Sequence, residues 1–114
     1  MLRLKGNSYS KIINSIHSQN IPEEWTWNMD YTICRLLSSM LSKYIKEAKT
    51  MIILENEEEI IEVRNKLNQI IKWEDNTDVY DMEKESAKQE LERREKFRIE
   101  TFGKLGKILP TLWW

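Results

Sequence analysis

Catalysis and metal binding need particular atoms at fixed spacings, and this chain supplies few of them. It contains one histidine, His17, and one cysteine, Cys34. A zinc site of nitrogen and sulfur donors takes three or four ligands, more than one chain has here. No Gly-x-x-x-x-Gly-Lys-Ser/Thr loop, Gly-x-Gly-x-x-Gly turn or nucleophile elbow occurs. Carboxylates are plentiful, and Glu57, Glu58, Glu59 and Glu62 fall together. They open a predicted helix, where the dipole already stabilises negative charge, so they read as a solvated face. His17 reads as a surface or capping residue and Cys34 as a buried thiol. The expectation is a protein without catalysis, cofactor or metal.

Two groups of side chains suit binding instead. Four of the five tryptophans come in pairs, Trp25 with Trp27 and Trp113 with Trp114. Each indole hides roughly 150–250 Å² when covered and wants a partner for its N–H. Trp25 or Trp27 could staple the loop before a helix onto the core, or stack on a planar ligand. The second pair ends the chain as Leu112-Trp113-Trp114. It has three docking sites open to it: its own bundle, another copy, or a membrane or foreign partner. Phe102, Leu109, Leu112, Trp113 and Trp114 are therefore the candidate interface residues. The other group is basic: Arg93, Arg94, Lys96 and Arg98 surround Phe97, with Lys104 and Lys107 following. Arginine forks and aromatic planes recognise phosphates and bases. The alternative is a face of ion pairs, because Glu90, Glu92, Glu95 and Glu100 are interleaved. Trp25, Trp27, Arg94, Arg98 and Lys104 form the candidate ligand set.

The elements that must carry these residues are helices. Only three glycines and two prolines interrupt the 114 residues, of which 40% are hydrophobic and 32% charged. That composition excludes a disordered chain and argues for long, continuous elements. Tyr9, Ile12, Ile13 and Ile16 share one helical stripe, predicting a helix over 8–18. A broad stripe from Met29 to Ala48, with Asn28 as N-cap, predicts 28–49. Residues 50–54 read as an apolar linker lying on the bundle. Asn56 with Glu59 forms a capping-box pattern, predicting 56–73. An acidic loop at 74–78 precedes a long helix over 79–108, polar in its first half, with acid-first pairs such as Glu90–Arg94 and Glu100–Lys104. Gly103 and Gly106 lie three apart in its apolar second half, permitting close helix approach or early fraying. Pro110 stops it, leaving an apolar tail over 110–114. The fold class is all-α, one domain over 1–114, a bundle of about four helices with a long polar last helix, oligomeric.

Charge and thiol content narrow the partners. The net charge is −1, which disfavours duplex nucleic acid. Residues 1–54 carry seven basic and four acidic groups, 55–78 three and eight, and 79–114 eight and seven. Opposed basic and acidic regions suit self-association. One cysteine permits no intrachain disulfide, which points to a reducing compartment. No apolar run approaches the roughly 20 residues that span a bilayer.

Trp25-Thr26-Trp27-Asn28-Met29-Asp30-Tyr31, opening an apolar helix, and the tail from Phe102 to Trp114 resemble a set of small uncharacterised tailed-bacteriophage proteins. Those share a tryptophan followed by Asp-Tyr at a helix start, a middle rich in glutamate and lysine, and a tail ending in tryptophan. The resemblance covers roughly residues 25–114, and the short acidic stretch around 55–62 departs from it. It carries no functional residue across. It implies a phage product acting in the cytoplasm of a bacterial host. Together these readings lead to two expectations. One is a non-enzymatic, homo-oligomeric phage protein that sequesters a small anionic host molecule, such as a cyclic nucleotide immune signal, as counter-defence. Trp25 and Trp27 stack on its base, and Arg94, Arg98 and Lys104 hold its phosphates. The other is a helical adaptor or virion-associated protein-interaction module.

Overall fold

A computed structural model describes residue 11, residues 13–76 and residues 83–112. Among these every element is helical and no strand occurs. Three long helices, α1 (Met29–Ala48), α2 (Glu57–Glu74) and α3 (Lys84–Ile108), carry the chain. Short 3-10 turns at Ser18–Asn20, Glu23–Thr26 and Leu109–Thr111 flank them.

Helical periodicity decides what each helix hides. On α1, Cys34, Ser38, Leu41, Ile45 and Ala48 recur every three or four residues and are all buried. On α2, Ile60, Val63, Leu67 and Ile70 form a strip with almost no exposure, and Ile71 adjoins it. On α3 the strip is Arg94, Thr101, Leu105 and Ile108, so half of it is polar. Asn28 and Asn56 occupy the expected N-cap positions, yet neither side chain makes a capping bond. Asn56 instead donates from Nδ2 to Thr111 Oγ1 at 2.8 Å. Its amide therefore ties the start of α2 to the turn after α3.

Helix α2 is the middle of the molecule. Both α1 and α3 pack on it, whereas α1 and α3 nowhere bring Cα atoms within 8 Å of each other. Contacts across the core fix their directions. Lys49 at the end of α1 pairs with Glu57 at the start of α2 at 2.7 Å, so α1 and α2 are antiparallel. Arg98 of α3 pairs with Glu74 at the end of α2 at 2.9 Å. Tyr44 Oη of α1 donates to the Thr111 carbonyl at 3.4 Å, so α1 and α3 run the same way. Three helices joined through one give an open layer. Its extents are 56 × 38 × 19 Å and its radius of gyration is 17.2 Å, against about 13 Å for a compact domain of this length.

Several expectations change. Residues 1–10 and 12 lie outside the described residues, and with them positions 8–10 and 12 of the predicted helix over 8–18. Lys11, Ile13 and Asn14 are helical, and Ser15 already turns. The last helix begins at Lys84 and not at 79, because Glu83 is extended with ψ 147°; residues 79–82 lie outside the described residues. The linker over 50–54 does not lie on the bundle: Met51, Ile52 and Ile53 are exposed, Ile53 at 90%. Neither Trp25 nor Trp27 is stapled onto the core. A Cβ built on Gly103 or Gly106 meets nothing within 4 Å, and the helix continues to Ile108. The glycines mark neither a close approach within this chain nor an early end.

Candidate functional site

Two regions merit a functional reading: a polar and aromatic cluster at the end of α2, and an uncovered apolar flank of the layer.

The cluster gathers Trp73 and Glu74 of α2 with Glu90, Arg93, Arg94, Phe97 and Arg98 of α3. Glu90 accepts from the Nε of Arg93 and of Arg94, each at 2.9 Å. These two guanidinium partners pull its carboxyl from the ordinary 4.5 to about 2. Both guanidiniums sit over the Trp73 ring, at 5.5 Å for Arg93 and 5.0 Å for Arg94. Trp73 meets Phe97 edge-on at 5.0 Å, and Lys66 lies over the Phe97 ring at 5.5 Å. The aromatic pair thus offers its π faces to three cations. One turn on, Arg98 donates to Glu74, while its buried Nε finds no acceptor among the described residues. Burial, followed by the neighbouring Asp30, raises the Glu74 carboxyl, and Arg98 opposes them. Burial, again with Asp30 next, pushes the Cys34 thiol up to about 11. It stays protonated and is a poor nucleophile.

The candidate ligand residues are divided by this arrangement. Arg94 is buried against Glu90 and Trp73, and Arg98 is engaged by Glu74. Lys104 reaches across to Glu62 of α2, displacing the expected Glu100–Lys104 pair. All three cations serve to hold α3 together or to fix it on α2. Trp25 and Trp27 lie in and just after the turn Glu23–Thr26, exposed at 46% and 72%, with no ring contact to these cations. An open groove of about 480 Å³ between α2 and α3 is lined by Glu58, Ile61, Glu62, Lys66, Gln69 and Phe97 among others. Two carboxylates face one ammonium there, so the groove is no anion cradle, and none of the five candidate residues lines it. Among the described residues, no group of three or more His, Cys, Asp or Glu side chains is placed to hold a metal ion.

The apolar flank has the opposite character. Met29, Ile33, Leu36 and Met40 are exposed at 53%, 38%, 45% and 64%. Their spacing of four, three and four puts them in one row along α1. Polar links to α2 run from Arg35, toward Asp75 at 3.6 Å, from Ser38, donating to Asn68, and from Lys49 just past α1, paired with Glu57. Ser38 belongs to the buried strip, and Arg35 and Lys49 flank that strip on the side opposite the row, so the row faces away from α2. Trp25 and Trp27, in and just after the turn that leads into the helix, are exposed as well. On α3 the same division holds. Arg93, Phe97 and Lys104 touch α2, while Ile99, Phe102 and Leu109 lie on the opposite flank, all exposed. Of the candidate interface residues, Phe102 and Leu109 belong to this flank, and Leu112 is half-buried against the core. Trp113 and Trp114 lie outside the described residues. The α1 row was hidden from sequence reading because Met29, Ile33, Leu36 and Met40 merged with the core positions into one broad apolar face.

No helix among the described residues is long and apolar enough to cross a membrane. No protein-family model, no curated protein and no solved structure matches the chain.

Proposed function

We propose that this chain is a non-catalytic helical protein-interaction module that works through the apolar flank of α1 and α3. One observation carries the reading: the exposed apolar row Met29, Ile33, Leu36 and Met40 along α1, with Trp25 and Trp27 exposed just before it. Soluble chains seldom leave so many large apolar side chains contiguous unless another surface covers them. The layer is open on that flank, where a further helix would complete a bundle of four. Aromatic and methionine side chains are also the types enriched at the centres of protein interfaces. The bacteriophage origin implied by the sequence resemblance agrees with an adaptor role and forms part of the proposal.

Capture of an anionic nucleotide has less geometry behind it, because Arg94, Arg98 and Lys104 each already face a carboxylate. The two readings separate in one experiment. The wild-type chain and an Ile33→Glu/Met40→Glu variant are used as bait in lysate, and each is also titrated with a panel of cyclic and linear nucleotides. The interaction reading expects a stoichiometric polypeptide on wild type, absent from the variant, with both baits equally helical by circular dichroism. A nucleotide that raises the melting temperature of both, with no polypeptide retained, overturns it.

A further inference from the structure

We propose that the α1 row is covered by a second copy of this chain, packed antiparallel about a twofold axis between Ile33 and Leu36. The proposal rests on the interaction reading above and names the partner. Its first support is the spacing. Met29, Ile33, Leu36 and Met40 follow the alternating four- and three-residue step of a two-helix seam. A twofold axis between Ile33 and Leu36 sets each against the other, and sets Met29 against Met40. Every exposed member of the row then meets an apolar side chain of the second copy, as an isologous interface requires.

Charge gives the direction. Beyond Met40 the same step reaches Lys43 and then Glu47, with the exposed Lys46 beside the row, so this end carries a net positive charge. Before Met29 the chain runs back through Trp27 to Glu24 and Glu23, which lie exposed in the turn Glu23–Thr26. The two ends of one row thus carry opposite charge. In the antiparallel pairing, Lys46 comes to Glu23 of the second copy. Lys43 comes to Trp27, whose ring face attracts a cation. A parallel pairing would set lysine against lysine and glutamate against glutamate. Such rim charges select orientation more than they add affinity. Antiparallel helices also place the positive end of each dipole beside the negative end of its neighbour.

The open layer supplies room. Because α1 and α3 stay apart on the flank away from α2, the second α1 can lie against the first without displacing any core residue. The exposed Ile99, Phe102 and Leu109 then extend the covered area toward the roughly 800 Å² per partner typical of a stable complex. A lipid surface fits this row less well, since one of its ends is acidic and interfacial helices favour a cationic border.

Sedimentation equilibrium of the full chain at about 100 µM, well above a micromolar dissociation constant, tests the pairing. The wild type is expected to be a dimer. Ile33→Glu/Met40→Glu is expected to be a monomer of unchanged helix content, its association weakened by tenfold or more, as for central interface residues. Lys46→Glu is expected to weaken the dimer about threefold to tenfold, and adding Glu23→Lys to Lys46→Glu to restore it. A monomeric wild type overturns the proposal, as does a dimer indifferent to the double substitution. A dimer tightened by Lys46→Glu overturns the antiparallel arrangement. If the wild type is monomeric but its retained foreign polypeptide still depends on Ile33 and Met40, the self-pairing fails while the interaction reading stands. If it is monomeric and floats with phosphatidylglycerol vesicles, both fail.

Discussion

Glu90 shows how single residues set the electrostatics of this chain. Lying within reach of both Arg93 and Arg94, it is held ionised far into the acid range. A carboxyl whose pKa falls on folding stabilises the folded state above its unfolded value and loses that contribution as pH drops through the folded one. Here the window runs from about 4.5 to about 2. Glu62, lowered by Lys104 and Lys66, acts in the same sense. Glu74, raised chiefly by its burial, acts in the opposite one: its contribution grows as pH falls. Thermal midpoints of wild type and Glu90→Gln, measured from pH 6 to about 2, are expected to converge with falling pH. A separation that stays constant over that range contradicts the assignment. Both arginines over Trp73 were visible in the sequence as a basic patch, and the Glu90–Arg94 pair followed from its spacing. That Arg94 and Arg98 of this patch turn inward was not legible, because Trp73 and Glu74 reach them only through the packing of α3 on α2.

At the scale of the element, α3 carries an avoidable weakness. Gly103 and Gly106 sit inside a helix, where glycine costs roughly 0.5–1 kcal/mol relative to alanine through backbone entropy. Nothing stands within 4 Å of a Cβ at either position. Gly103→Ala and Gly106→Ala are each expected to stabilise the isolated fold by about that amount, read from chemical denaturation. Loss of stability in either would mean that the site is filled. The boundaries of α1 and α2 agreed with the sequence reading to within one residue, since dense apolar repeats and asparagine at the N-cap mark them. The start of α3 was misplaced because its polar first turn, Lys84-Glu85-Ser86, carries no apolar stripe to mark it. The linker over 50–54 misled for the converse reason. Its β-branched, apolar composition says that it prefers burial, but with α1 turning directly into α2 there is no surface left for it to meet.

For the whole molecule, the decisive property is that three helices meet through one. Sequence periodicity gave an all-helical chain with more apolar surface than one small bundle hides, and that surplus is present. Where it lies depends on the splay between α1 and α3, a long-range quantity that no local pattern encodes. The splay leaves Met29, Ile33, Leu36 and Met40 of α1, with Ile99 and Phe102 of α3, uncovered away from α2. The core is correspondingly narrow: Ile60, Leu67 and Ile70 of α2, all at 0% exposure, belong to one cluster with residues of both outer helices. Loosening either outer helix uncovers part of the same strip.

The single thiol records that event. Cys34 sits at 0% exposure where α1 lies on the core, and burial keeps it protonated. A disulfide reagent such as dithionitrobenzoate therefore meets no accessible thiolate while the helices are closed. The chain carries its own stopwatch for the parting of α1 from α2. Modification is expected to proceed only at the rate or population of opening, and to slow further when the flank of α1 is occupied. Immediate reaction of the closed protein at neutral pH would show that α1 is not seated as described.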